Sequence, residues 1–97
     1  MAVIYVTILT YVKPLEEIDA ALSAHIEWLN KNYDDGVFIA SGRRIPRNGG
    51  VILAKGECLE DINAVMQQDP FHLMGLATHE IFPFEASKAI DGLSSIL

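Results

Sequence analysis

Apolar residues follow two different periods along this chain, and each change of period marks a predicted element. Residues 2–11 are rich in Val, Ile, Tyr and Thr and are apolar at odd and even positions alike, which predicts a strand covered on both faces. From Pro14 to Tyr33 the apolar residues recur at helical spacing, and residues 34–36 (Asp-Asp-Gly) predict the end of that helix. The chain therefore opens with a strand and a long amphipathic helix.

The remaining pattern predicts two strands, a helix and a further strand. These elements are, in chain order, a strand over 37–42, a hairpin loop over 43–49, a strand over 50–56, a helix from Leu59 to Asp69 and a strand over 77–85. Pro70 is expected to end the second helix, and Pro83 is expected on an edge strand or near the end of a strand. Residues 87–97 predict a short helix or a tail.

The predicted order β-α-β-β-α-β is that of an α+β, ferredoxin-like domain. We expect one domain over residues 1–97, with a core over about 2–86, in which a four-stranded antiparallel sheet has both long helices on one face. The strands are apolar on both faces, yet one chain has too few helices to cover the second face. The sequence therefore predicts a homodimer in which two sheets pack face to face. A higher oligomer is an open alternative.

Composition narrows the classes of function. The chain has 97 residues, is 51% hydrophobic and has a positive mean hydropathy of +0.26, which suits a folded domain. A net charge of −6 argues against nucleic acid as a partner, because phosphate binding needs a cationic face. No run approaches the roughly 20 apolar residues of a membrane span, so no membrane partner is expected. With Cys58 as its single cysteine, the chain is expected to be cytoplasmic.

An ionisable residue lies inside the apolar stripe of each predicted helix. His25 follows Leu22 by three positions, and Asp69 follows Met66 by three, at the helix end where the dipole disfavours an anion. Both helices lie on the same sheet face in the predicted fold, so the two side chains could meet, and pairing would offset much of the cost of burying them. Two alternatives stay open: a core histidine bonded to a backbone carbonyl, and an aspartate that only shapes a helix exit.

Several short motifs, in this order and spacing, resemble those of the YCII-related family over about residues 2–86. They are HIEWL at 25–29, SG at 41–42, GG at 49–50, DPF at 69–71, GL at 75–76 and IFPF at 81–84. The resemblance implies the dimeric α+β barrel, a ferredoxin-like dimer. It also implies that His25 and Asp69 form a catalytic dyad.

The residues expected to bind substrate lie in or beside these motifs. They are Trp28, Ser41, Gly42, Arg43, Pro70 and Phe71. The family commonly has a proline where this chain has Arg43, and Arg44 and Arg47 follow in the same hairpin. These arginines predict an anion site near the cavity mouth, and the alternative is a solvated hairpin that deters edge pairing.

The predicted function is general acid–base chemistry by His25 and Asp69 on a small organic, anionic substrate. A lyase or isomerase is expected by analogy with related folds. The alternative is a non-catalytic homodimer that binds a small ligand or has a structural role. No metal-binding spacing or phosphate loop is present, so neither a metal nor another cofactor is expected. His72 is expected at the surface or a pocket rim, and His79 is expected to pack.

Overall fold

The chain forms the predicted alternation of strands and helices in the computed structural model, which describes residues 2–97. The elements are β1 (Val3–Tyr11), α1 (Leu15–Ala20), α2 (Leu22–Asp34), β2 (Phe38–Arg43), β3 (Gly49–Lys55), α3 (Leu59–Gln67), α4 (Pro70–Leu73), β4 (Ala77–Glu85) and α5 (Asp91–Ser94). The predicted short C-terminal helix corresponds to α5. No helix within residues 2–97 is long and apolar enough to cross a membrane.

The four strands form one antiparallel sheet in the order β2-β3-β1-β4. β1 lies in the middle, where Val6 is paired with Leu53 of β3 on one side and with Phe82 of β4 on the other. Pro83 lies on the edge strand β4, where a missing N–H disrupts least. The α+β class and the ferredoxin-like strand order predicted from the sequence are confirmed.

The first predicted helix is divided in the structure, and the second is shorter than predicted and is followed by a further short helix. The first is interrupted at Ala21, whose N–H donates to the Ile18 carbonyl in a tight turn before α2 begins. The second ends at Gln67 and not at Asp69, and Pro70 begins the short helix α4. Proline suits this position because a first helical residue needs no N–H donor and already has the required φ. The prediction that Pro70 only ends a helix was therefore wrong.

The two faces of the sheet have different surroundings. On the helix-covered face, Tyr5 and Leu9 of β1 belong to a buried core with Ile18, Ile62 and Met66. The opposite face, which we call the outer face, carries seven large apolar side chains by strand register: Ile4, Val6, Ile8, Val51, Leu53, Phe82 and Phe84. On this face Phe82 and Phe84 are 52% and 47% exposed. Ile4 at one end of this face is buried, and one chain leaves the rest of the outer face only partly covered.

Candidate active site

Asp69 occupies the connection between α3 and α4, where its carboxylate caps the second of these helices. Its Oδ1 accepts a hydrogen bond from the Phe71 N–H at 3.0 Å, and the residue is only 2% exposed. The carboxylate therefore lies at the N-terminal end of α4, where an acceptor is favourable, although it also follows the C-terminal end of α3. This capping bond explains locally why a carboxylate is tolerated at an otherwise unfavourable, buried position.

His25 of α2 makes the contact with Asp69 that the helical spacing allowed and the family resemblance implied. Its Nδ1 lies 2.7 Å from Asp69 Oδ1, and its side chain is 12% exposed. An ionised carboxylate only accepts hydrogen bonds, so the network assigns the hydrogen to Nδ1. In the neutral imidazole, Nε2 then carries the free lone pair. Nε2 makes no hydrogen bond within residues 2–97 and is not one of the buried unpaired polar atoms, so it is accessible.

Aromatic side chains hold the imidazole in place. The Phe71 ring stacks on it, with ring centroids 4.0 Å apart and planes 7° from parallel. Trp28 lies on the same helix with its ring centroid 5.5 Å away, and its Nε1 donates to the Val65 carbonyl at 3.2 Å. The ring of His25 is thus oriented by packing and by one hydrogen bond to Asp69.

His25 opens into a cleft of about 180 Å³ between α2 and the strands β1, β2 and β3. Most of its walls are apolar. The lining residues are Leu9, Tyr11, Leu22, His25, Ile26, Leu29, Ser41, Gly42, Arg43, Gly49, Gly50, Val51, Ile52 and Phe71. A Cβ added at Gly49 would lie 1.8 Å from the Leu9 carbonyl oxygen, so the close approach of β3 to β1 here requires glycine.

The structure separates the residues predicted to bind substrate. Four of them line the cleft: Ser41, Gly42, Arg43 and Phe71. Trp28 and Pro70 do not. Trp28 instead packs edge-on against Phe38, with ring centroids 5.1 Å apart, and its contact with substrate stays a prediction. Pro70 begins α4 beside the dyad and has a local structural role.

Only one of the three hairpin arginines lines the cleft. Arg44 donates to Thr10 Oγ1 at 3.2 Å, and Arg47 forms an ion pair with Asp19 of α1 at 2.5 Å. The hydrogen bond from Arg47 lowers the pKa of the Asp19 carboxyl, and its partner raises the pKa of the Arg47 guanidinium. These two contacts tie the hairpin loop to β1 and α1, and Arg43 is left at the cleft. A three-arginine anion site was therefore an overestimate.

The other two histidines lie on a different side of Asp69. His72 is exposed, and its ring lies 5.3 Å from that of His79, whose Nε2 is 3.3 Å from Asn63 Oδ1. Burial lowers the pKa of His79, and the neighbouring His72 lowers it further. In the part of the chain that the structure describes, no group of three His, Cys, Asp or Glu side chains could hold a metal ion. The two histidines border a hollow of only about 10 Å³ with Asp69.

Tyr11 ends β1 and lines the cleft, but it was not among the residues predicted to bind substrate. The predicted alternation placed Tyr11 with Tyr5 and Leu9 on one face of the strand. It could not say which face the helices cover, and only the helix-covered face carries the cleft.

Comparisons with known proteins agree with this fold. The family model of the YCII-related domain matches residues 3–85. The chain is similar in structure to the 5-chloro-2-hydroxyhydroquinone dehydrochlorinase TftG from Burkholderia phenoliruptrix AC1100, which was solved in complex with 2,5-dihydroxybenzoquinone. The two sequences are 13% identical, the TM-score is 0.70, and the alignment covers 89% of this chain and 95% of TftG. It is also similar in structure to SnoaB, a cofactor-independent oxygenase from Streptomyces nogalater. Here the sequence identity is 17%, the TM-score is 0.52, and the alignment covers 93% of this chain and 97% of SnoaB. No curated protein sequence matches this chain.

Proposed function

This chain belongs to the YCII-related domain family, and we propose that it is a small-molecule enzyme in which His25 and Asp69 carry out general acid–base chemistry. One observation carries the proposal. The imidazole donates from Nδ1 to a buried carboxylate 2.7 Å away and has its second nitrogen accessible at a cleft. That arrangement is what a general base needs, since one ring nitrogen is oriented and the other is free to react.

The proposed reaction begins with proton transfer to Nε2 of His25. A C–H bond next to a carbonyl of the substrate breaks, its electron pair moves onto the carbonyl oxygen, and an N–H bond forms on the imidazole. Asp69 stabilises the resulting imidazolium through the Nδ1 hydrogen bond. Return of the proton to another atom completes an isomerisation, whereas departure of a neighbouring group completes an elimination. Both outcomes fit a lyase or isomerase.

The size and polarity of the cleft define the class of substrate. A cavity of about 150 Å³ holds one benzene ring, so a cleft of about 180 Å³ suits a molecule of roughly that size. The walls are apolar, with Arg43 as the one cation among the lining residues. We therefore propose a small organic anion. TftG and SnoaB act as enzymes without resembling this chain closely in sequence, which supports small-molecule chemistry on this fold.

We also propose that the working form is a homodimer. The outer face exposes Phe82 and Phe84, and burying such a surface stabilises association by about 25 cal/mol per Å² of apolar area. An isologous dimer would place the outer faces of two copies against each other.

Hydrogen–deuterium exchange at carbon tests the catalytic proposal without a known substrate. A panel of small keto acids and hydroxy acids is incubated with the wild-type protein in D₂O, and loss of each C–H signal is followed by proton NMR. The wild type should accelerate exchange in at least one compound. If compounds bind in the cleft and none exchanges, the chain is a ligand-binding dimer and the catalytic proposal is wrong.

Arg43 is expected to contribute affinity for anions and not chemistry. Arg43→Gln should weaken binding of the carboxylates in this panel by about tenfold, because a charge-assisted hydrogen bond is lost. The dependence of binding on salt concentration should also decrease. Calorimetric titration at two salt concentrations measures both effects. Arg44→Gln is the matched control, since Arg44 is bonded to Thr10 outside the cleft, and equal effects of the two substitutions would contradict the assignment.

A further inference from the structure

Tyr11 is a polar residue of the cleft that the dyad leaves unused. Its ring lies edge-on to Phe71, with centroids 5.9 Å apart and planes at 87°. Its hydroxyl is not a buried unpaired atom, and the Arg47 guanidinium lies close enough to donate a hydrogen bond to it. Tyr11 lines the cleft, so we take its hydroxyl, like Nε2 of His25, as a group that can contact a molecule bound there.

Phe71 connects the two available groups. One face of its ring stacks on His25, and the same ring contacts Tyr11 edge-on. Nε2 and the phenol thus belong to one aromatic cluster at one cleft, and both lie beside a flat ring. A planar ligand of about one ring would contact both groups at once, whereas a branched aliphatic one would fill the apolar walls less evenly.

Arg47 favours a donor role for the Tyr11 hydroxyl. The pKa of the Arg47 guanidinium is raised first by its hydrogen bond to Asp19 and, to a smaller degree, by Tyr11. The guanidinium therefore lies close to the Tyr11 phenol. An arginine only donates hydrogen bonds, so the hydrogen of the phenol stays free for an acceptor in the cleft.

We infer that Tyr11 is a second substrate-contacting residue, and that the substrate is a planar hydroxylated ring or enol with a second oxygen atom. This inference deepens the proposed function and rests on it. His25 Nε2 takes the proton of the substrate hydroxyl: the O–H bond breaks, an N–H bond forms, and the electron pair stays on the ligand. The negative charge spreads through the conjugated system to the second oxygen. There the Tyr11 hydroxyl donates a hydrogen bond that strengthens as the charge develops.

4-Nitrophenol tests this inference because its phenolate absorbs visible light and its charge spreads onto the distant nitro oxygens. Titration of the wild type, Tyr11→Phe and His25→Gln with this probe measures both affinity and the bound phenolate fraction. We expect the wild type to bind it and to raise the phenolate fraction above that in buffer. Tyr11→Phe should weaken binding about tenfold, the effect of one hydrogen bond to a charged acceptor, and should lower the phenolate fraction.

Two controls separate this effect from a structural one. Tyr11→Phe should unfold at the wild-type temperature, because Arg47 keeps its ion pair with Asp19 when the phenol hydroxyl is removed. Tyr5→Phe changes a buried tyrosine on the same face of β1 outside the cleft and should leave binding unchanged.

The outcomes distinguish this inference from the proposed function. If His25→Gln abolishes phenolate formation and Tyr11→Phe matches the wild type, the dyad stands and the role of Tyr11 is overturned. If neither variant alters binding or the phenolate fraction, both are overturned. Failure of the wild type to bind the probe at millimolar concentration overturns the assigned substrate class.

Discussion

Asp69→Asn will slow proton transfer by about 10²–10⁴-fold while leaving the fold intact. The asparagine carbonyl can still accept the Phe71 N–H and the Nδ1–H of His25, so the cap and the ring orientation survive. A neutral amide, however, cannot stabilise the imidazolium that forms when Nε2 takes a proton. The measurement is the rate of deuterium exchange for the panel compound that the wild type labels fastest. His25→Gln should reduce that rate at least as much.

Two further variants sharpen this prediction. Asp61→Asn changes an exposed carboxylate in the first turn of α3 and should leave the exchange rate unchanged. Asp69→Ala removes the acceptor altogether and leaves the Phe71 N–H unpaired in a buried site. It should lower the free energy of unfolding by about 1–3 kcal/mol in chemical denaturation. Wild-type exchange in Asp69→Asn would show that the carboxylate has only a structural role.

Val6→Asp will convert the proposed homodimer into a monomer. Val6 lies in the middle of the outer face, paired with Leu53 and Phe82, so an isologous interface would bury two new charges. Burying an unpaired carboxylate costs several kcal/mol, which corresponds to a dissociation constant raised by about 10³-fold or more. Sedimentation at micromolar concentration measures the change.

The control for this substitution is Leu73→Asp. Leu73 ends α4, a helix packed on the opposite face of the sheet, and is 65% exposed, so its replacement should preserve the sheet-to-sheet dimer. Circular dichroism should show that both variants remain folded. A wild type that sediments as a monomer would rule out the sheet-to-sheet dimer, and a Val6→Asp variant that dimerises normally would place the interface elsewhere.

Periodicity and topology made the pairing of His25 with Asp69 one of three open interpretations, and the family resemblance selected it. Helical spacing put each residue on an apolar stripe, and the β-α-β-β-α-β order put both helices on one side of the sheet. The break at Ala21 could not be predicted, because no glycine or proline marks it and the turn is made by a backbone hydrogen bond to Ile18. The start of α4 at Pro70 was misread, since proline both ends one helix and begins the next.

The lining of the cleft was predictable only in part. Ser41 and Gly42 form a motif that resembles one of the YCII-related family, and Arg43 follows them on β2, where that family commonly has a proline. Arg44 contacts Thr10, and Arg47 contacts Asp19. Both partners are distant in sequence and come close to the hairpin only when the chain folds. Spacing along a single hairpin carries no information on such partners, so it could not separate the arginine at the cleft from those that tie down the loop.

The tautomer of His25 tests the account most directly. Long-range proton–nitrogen NMR of ¹⁵N-labelled protein, at a pH where the imidazole is neutral, distinguishes a protonated from an unprotonated ring nitrogen. The hydrogen bond from Nδ1 to Asp69 predicts that Nδ1 carries the hydrogen and that Nε2, at the cleft, is unprotonated. A neutral His25 with its hydrogen on Nε2 would contradict the account, because no base would then face the substrate.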